Sequence, residues 1–282
     1  MTDKKVVGIT GSSGLIGSSI AGRLSDKGFA IKPLSRNFKK DDIEECDIII
    51  NLAGASINQR WNKKNRSSIL NSRIETTRRL REFISGSAKP SLLISASAVG
   101  IYPSSGGMEN EPVYNEYSRA RAENFLGEVC VKWEEEALKL NDNLRLAIIR
   151  LGVVLTSKGG ALPKMAFPFR LGIAGRIGSG RQPFSWVSLE DLLNAVEYII
   201  GNNELKGIFN ITSPNPVNNS QLTEALAIRY KSFIRIKIPH LLFRAVYGKS
   251  SVLITEGQYA LPVRLSENGF EFKLPDISDA IR

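Results

Sequence analysis

VVGITGSSGLIG, residues Val6 to Gly17, passes from a β-rich apolar run through three glycines into a helical pattern. Val6–Thr10 reads as a strand and Gly11–Gly17 as a turn. Leu15, Ile16, Ile20, Ala21 and Leu24 then recur at helical spacing, with Gly28 where the helix should stop. The three glycines do different things. Gly11 permits the tight turn, Gly14 removes a Cβ where backbone must approach a diphosphate, and Gly17 lets the helix pack closely on the strand. The helix N-terminus adds free N–H groups and partial positive charge. Glycines that serve only a tight turn are the competing reading. The position of the triplet, leaving the first strand and opening the first helix, argues against it.

Working outward, Phe29–Ser35 is a second strand, and Asp47–Leu52 (DIIINL) is a third, apolar throughout as a strand covered on both faces should be. Ser68–Ser85 has helical periodicity, Leu92–Ser97 reads as a strand, Phe125–Leu140 as a helix and Leu144–Leu151 as a strand. Strands separated by helices predict a parallel sheet with crossovers. Beyond Val154 the texture changes. Gly159–Gly180, rich in glycine, proline and basic residues, is expected to be a loop-dominated excursion. Ser188–Gly201 reads as a helix, Gly207–Thr212 as a strand returning to the sheet, and Asn219 or Ser220 as the cap of a helix through Tyr230. The expected fold is α/β, a Rossmann-like doubly wound parallel sheet with a smaller α+β C-terminal substrate domain. The first domain takes residues 1–155, its sheet completed by 184–213; residues 156–183 and 214–282 form the second.

The end of the second strand selects the cofactor. An acidic residue there would hold the ribose 2′-hydroxyl of NAD. This chain instead has PLSR, with Ser35 and Arg36. A guanidinium binds a 2′-phosphate through paired, charge-assisted hydrogen bonds, which predicts NADP(H). An exposed arginine at a strand end, with no ligand, is the plain alternative.

Composition bounds the rest. The 282 residues are 42% hydrophobic and 23% charged, ordinary for a globular chain. No apolar run is long enough to span a bilayer, and MTDKKVVGIT carries no signal-peptide pattern, so a cytoplasmic location is expected. Cys46 and Cys130 form no CxxC pair and are expected to be free thiols. The single histidine, His240, leaves no His/Cys cluster for zinc and reads as a half-buried packing residue. The net charge of +10 is scattered, which fits a solvated surface better than nucleic-acid binding.

GSSGLIG, NLAG (Asn51–Gly54) and SASAVGIY (Ser95–Tyr102) occur in the order seen in extended short-chain dehydrogenases/reductases, the NAD(P)-dependent epimerase/dehydratase group. With RWNKKN, LNSRIETTRRL, EVCVKWEEEA, IIRLGVVLTSKGGALPKM, FRLGIAGRIGSGRQPFSWVSLEDL and the tail ALPVRLSENGFEFKLPDISDAIR, the chain resembles an atypical subfamily. Its members are labelled "epimerase family protein" or "putative cell-division inhibitor" and end in a domain of unknown function. The resemblance implies that Gly11, Ser12, Ser13, Gly14, Leu15, Ile16 and Gly17 hold the pyrophosphate, and that Ser35 and Arg36 face the adenosine ribose and its phosphate. Leu52, Ala53, Gly54 and Ser95 would line the cofactor groove, Arg73 would face the cofactor, Val154 would lie near the nicotinamide, and Ser97 falls on the superfamily's catalytic serine.

Two departures from the family pattern stand out. Asn37–Cys46 is too short for a helix–strand–helix excursion, so one peripheral strand should be missing. The superfamily's Tyr-x-x-x-Lys pair, in which the lysine lowers the tyrosine pKa, is also missing: no tyrosine has a lysine four residues on. Tyr117, with Arg121 at that spacing, reads as a loop residue. Lys132 is a candidate for reaching the cofactor, although without a tyrosine partner it reads first as a surface lysine. In GRIGSGRQ, Arg176 and Arg181 are candidates for an anionic substrate group, with Trp186 and Phe169 as apolar walls; a basic loop and core aromatics are the equal alternative. The expected function is an NADP(H)-dependent oxidoreductase or epimerase acting on a small, anionic or sugar-like substrate as a monomer or homodimer. Ser97 would polarise a carbonyl oxygen. The alternative is a non-catalytic NADP(H)-binding sensor or assembly factor.

Overall fold

The computed structural model describes residues 4–140 and 144–282. The first half alternates strand and helix: β1 (Val6–Thr10), α1 (Leu15–Asp26), β2 (Ala30–Leu34), α2 (Lys40–Glu44), β3 (Ile48–Asn51), α3 (Lys63–Ile84), β4 (Leu92–Ala98), a short β5 (Val113–Tyr114), α4 (Phe125–Leu138) and β6 (Arg145–Leu151). The second half runs β7 (Val153–Leu155), α5 (Ala161–Arg170), β8 (Ile173–Ile177), β9 (Pro183–Phe184), β10 (Trp186–Ser188), α6 (Leu189–Gly201) and β11 (Gly207–Ile211). It continues with β12 (Val217–Asn218), α7 (Asn219–Tyr230), β13 (Ile234–Ile238), α8 (His240–Tyr247), α9 (Val252–Thr255), β14 (Tyr259–Ala260), α10 (Val263–Glu267) and α11 (Ile277–Ala280).

Six strands form one parallel sheet in the order β2-β1-β3-β4-β6-β11. Only α2 connects β2 to β3, and among the described residues no strand lies outside β2, in keeping with the short connection. The chain visits one side of β1 and then the other. β1 and β3 therefore flank the point where strand order reverses, and a crevice opens at their carboxyl ends.

Side-chain alternation sorts the core. Val7, Ile9, Ile48, Ile50 and Ile94 face one side, against Ile20 and Leu24 of α1 and Leu192, Val196 and Ile199 of α6. Ile49 and Leu93 face the other, against Leu80 and Ile84 of α3. Each fully buried aliphatic side chain contributes roughly 1.5–3 kcal/mol. Cys46 belongs to this second face, and Cys130 is buried in a separate cluster with Val99, Ile101 and Tyr102. Burial pushes the Cys46 thiol up to about 11 and the Cys130 thiol up to about 12. Because the folded chain keeps these protons longer than the unfolded one, stability is fully present below about pH 9 and declines as pH rises through 9 to 12. An aromatic disulfide reagent at pH 8 should label neither thiol in the native protein and both in denaturant. Rapid native labelling would contradict this packing.

The segment 159–180 departs from expectation. It holds α5 and β8 rather than loop. Leu162, Ala166 and Phe169 recur at helical spacing and are buried with Leu222 and Leu226 of α7, while the glycines stand at the ends: Gly160 caps α5 and Gly172 follows it with φ 82. β8 pairs in parallel with β13. α7 is capped by Asn218, not by Asn219 or Ser220. The Asn218 carboxamide accepts from Gln221 N at 2.9 Å, and Gln221 Oε1 accepts from Asn218 N at 2.8 Å. Among the described residues no helix is long and apolar enough to cross a membrane.

Candidate functional site

The glycine turn is held against the end of β3. Gly11 has φ 69, and a Cβ there would come within 2.9 Å of the Leu52 carbonyl oxygen. The Thr10 hydroxyl accepts from Leu52 N (3.1 Å) and Ala53 N (3.2 Å) and donates to Asn51 Oδ1 (2.8 Å). Asn51 Nδ2 in turn donates to Thr77 Oγ1 at 2.8 Å, which also accepts from Trp133 Nε1 at 3.0 Å. This buried polar chain ties β1, β3, α3 and α4 together beneath the crevice. A Cβ on Gly17 would overlap the Gly11 carbonyl oxygen, which is why α1 can begin so close to the turn. Gly14 is the N-cap of α1 and supplies no side-chain acceptor, and the first turn of α1 has no acidic residue. Its orphan N–H groups are open toward the crevice.

Beside them lies Arg73. A Cβ on Gly54 would fall 2.7 Å from the guanidinium carbon of Arg73. Arg73 Nη1 donates to Ala55 O (3.1 Å) and Ile69 O (2.9 Å), and its guanidinium packs on the Trp133 ring at 5.1 Å. Burial lowers its pKa from the usual arginine value, with no carboxylate among the described residues near enough to offset the effect. Gly11, Gly14, Leu15, Ile16, Gly17, Leu52, Gly54, Arg73, Ser97 and Val154 line one cleft of about 680 Å³. Ser12 and Ser13 sit within the turn, the former half-buried and the latter exposed. Ser35 and Arg36 are exposed just past β2, whose Leu34 pairs with Thr10. The Arg36 carbonyl accepts from Arg79 Nη1 at 3.1 Å, leaving the Arg36 guanidinium outside that bond. Ser95 is buried, 3.5 Å from Asn51 Nδ2, behind the wall formed by Ala96, Ser97 and Ala98.

Ser97 is differently engaged than expected. Its hydroxyl donates to Glu134 Oε1 at 2.6 Å, and Glu134 is gripped by Arg150 through Nε (2.8 Å) and Nη2 (2.7 Å). Arg150 Nη1 continues to the Tyr102 hydroxyl at 2.8 Å. All four side chains are buried. With its hydrogen committed to a carboxylate, Ser97 offers the cleft lone pairs, which suit a ligand O–H or N–H rather than a bare carbonyl oxygen. Sequence reasoning missed Glu134. It stands 37 positions from Ser97 inside the run EEE of α4, and its only local signal is that it falls four residues after Cys130 on the buried helix face.

Five candidates lie elsewhere. Lys132 is 47% exposed and pairs with Glu128 at 2.8 Å, one helical turn away on the outer face of α4. Arg176 is exposed on β8, because the basic loop folded as a strand, and Arg181 is exposed beyond it. Trp186 on β10 and Phe169 on α5 are buried in the core between α5 and α7, so neither forms a cleft wall. In their place, Pro183–Ser185 and, from the C-terminal segment, Glu256, Gly257 and Gln258 close the cleft.

Residues 7–212 match the family model described as "NAD dependent epimerase/dehydratase family", and residues 238–282 match a "domain of unknown function". The chain belongs to the NAD dependent epimerase/dehydratase family. Within this family it is 35% identical to the chloroplastic epimerase family protein SDR39U1 homolog of Arabidopsis thaliana, over 98% of this chain and 85% of the plant protein. It is 33% identical to the epimerase family protein YfhF of Bacillus subtilis, over 98% of this chain and 96% of that one. A crystal structure of human epimerase family protein SDR39U1 with NADPH superposes with a TM-score of 0.87 at 30% identity, covering 98% of this chain and 97% of the human one.

Proposed function

We propose that this chain binds NADP(H) in the cleft between the glycine turn and β3 and uses it as an oxidoreductase or epimerase on a small substrate. The observation that carries this reading is the crevice itself. An uncapped helix start, side-chain-free Gly14 and an Arg73 with no carboxylate partner among the described residues surround one space, a donor set suited to a polyanion. The NADPH held by the human relative supports the choice of cofactor. In this reading the amides of Gly11–Gly17 hold the diphosphate, Ser35 and Arg36 take the 2′-phosphate, and Leu52, Ala53, Gly54 and Arg73 line the path toward Val154 and Ser97.

Bound there, NADPH would donate a hydride to a substrate carbonyl carbon and NADP+ would accept one from a substrate carbinol carbon. The protein's own part is to exclude water with Pro183–Ser185 and Gly257–Gln258, and to orient a substrate hydroxyl by accepting its proton in a hydrogen bond at Ser97 Oγ. Residues 1–155 with 184–213 would form the cofactor domain, the remainder contributing the substrate side. A second reading, NADP(H) binding without turnover, rests on two observations: no Tyr-x-x-x-Lys pair exists, and the Ser97 proton is held by Glu134. Turnover of NADPH by any member of a carbonyl panel favours the first reading; tight binding with none favours the second. Arg36→Ala separates the cofactors. It should weaken NADPH by about 1.5–3 kcal/mol, the value of charged hydrogen bonds, and leave NADH nearly unchanged in a fluorescence titration. Equal losses would remove the assignment of Arg36 to the 2′-phosphate.

A further inference from the structure

A second hollow, of about 750 Å³, opens beside the cleft where α3 and α4 begin and where α8 and α9 pass over them. It shares Asn124, Val252 and Glu256 with the cleft and none of the glycine-turn residues, so the two spaces adjoin across these three residues, with the hollow on the side away from the diphosphate cradle. We propose that this hollow seats the anionic group, phosphate or carboxylate, of a ligand with an apolar body, and so fixes the substrate class for the function proposed above, on which this inference rests.

Charge points to the anion. Arg66, Arg244 and Lys249 line the hollow, against one carboxylate, Glu256. Glu256 stands at the junction with the cleft, where Oε2 accepts from the Ser104 hydroxyl at 2.8 Å. Arg66 lies 3.9 Å from Glu128, but Glu128 is held more closely, at 2.8 Å, by Lys132. Among the described residues, Arg244 and Lys249 have no carboxylate within the 4.0 Å that defines an ion pair. Two cations with no such partner among the described residues, and a third, Arg66, that shares Glu128 with Lys132, line one concavity, beside the Asn62-capped start of α3 and the Asn124-capped start of α4.

The walls point to the apolar body. Trp61 and Phe125 meet edge to face at 5.2 Å, and the Arg66 guanidinium lies 4.4 Å over the Phe125 ring. Trp61 Nε1 is spent on Ile57 O at 3.0 Å, so the indole offers hydrocarbon to the hollow. Val252 completes the apolar side. A cationic rim over an aromatic floor discriminates for a ligand that carries both characters and against a bare inorganic ion.

The test is calorimetric titration of the full chain saturated with NADPH, using phenyl phosphate, phenylacetate, inorganic phosphate and phenol. Saturable binding of phenyl phosphate or phenylacetate is expected, about ten-fold tighter than inorganic phosphate, with phenol silent. The stronger of the two aromatic anions distinguishes a phosphate seat from a carboxylate seat. Arg244→Gln with Lys249→Gln, both at exposed positions, should weaken the aromatic anion about ten-fold while NADPH affinity and thermal midpoint stay unchanged. Arg66→Gln should act in the same direction. Absence of binding, or affinity indifferent to these substitutions, would overturn the proposal. The same titration without cofactor keeps the two readings apart: if NADPH fails to bind, sensitivity to Arg244 and Lys249 still reports on the hollow.

Discussion

Glu134→Ala is expected to destabilise the protein by about 3–5 kcal/mol, the usual consequence of leaving a buried charge without its partner. Arg150 is fully buried, and its guanidinium donates twice to Glu134; removing the carboxylate strands that cation between β4, α4 and β6. The Ser97 hydroxyl loses its acceptor in the same step. At this chain length the loss corresponds to a thermal midpoint lowered by roughly 2–4 °C per kcal/mol. Glu134→Gln, which keeps an acceptor for both neighbours, should lose less. Replacing Glu134 and Arg150 together by methionine should recover most of the stability, because the pair's desolvation disappears with its attraction. Urea denaturation of the three variants measures these differences. A loss below about 1 kcal/mol for the alanine variant would mean that water reaches the pair and that the network is not the buried strut described above.

Gly14→Val is expected to abolish NADPH binding, at least about 100-fold in Kd, with little change in folding stability. The two effects separate because of local geometry. Gly14 has φ −76 and ψ 165, a conformation open to any residue, and the nearest atom to an added Cβ is the Gly11 carbonyl oxygen at 3.3 Å. The added side chain therefore stands in the cleft and not in the core. Gly17→Ala is the contrast. Its Cβ collides with the Gly11 carbonyl, so the turn itself must move, and both stability and binding should suffer. Fluorescence titration and thermal melts of the two variants measure both quantities. Unchanged NADPH affinity in the Gly14 variant would mean that the turn does not cradle a diphosphate.

What could be read from the sequence is what local chemistry dictates. The strand–glycine–helix junction, the apolar β3 and the missing outer strand each follow from residues within a few positions of one another: the sheet contains the first two and, among the described residues, ends at β2. Elements inside 159–180 were obscured by their flanking glycines and by Pro168, although Leu162, Ala166 and Phe169 already carried the helical period. Trp186 shows a different limit. An aromatic beside a glycine-rich loop is compatible with a pocket wall or a core, and only the packing of α5 against α7 decides for the core. The partnership of Ser97 with Glu134, and the approach of Glu256–Gln258 to the glycine turn, join residues far apart in the chain. No periodicity encodes such meetings; they are set by how the helices stack on the sheet.

The function proposed for this chain depends on the crevice between β1 and β3 taking a phosphorylated dinucleotide. The most direct measurement is a calorimetric titration of the unmodified protein with NADPH and, separately, with NADH. One saturable NADPH site per chain is expected, with NADH bound more weakly by an order of magnitude or more. No heat with either cofactor, or tighter binding of NADH, would contradict it.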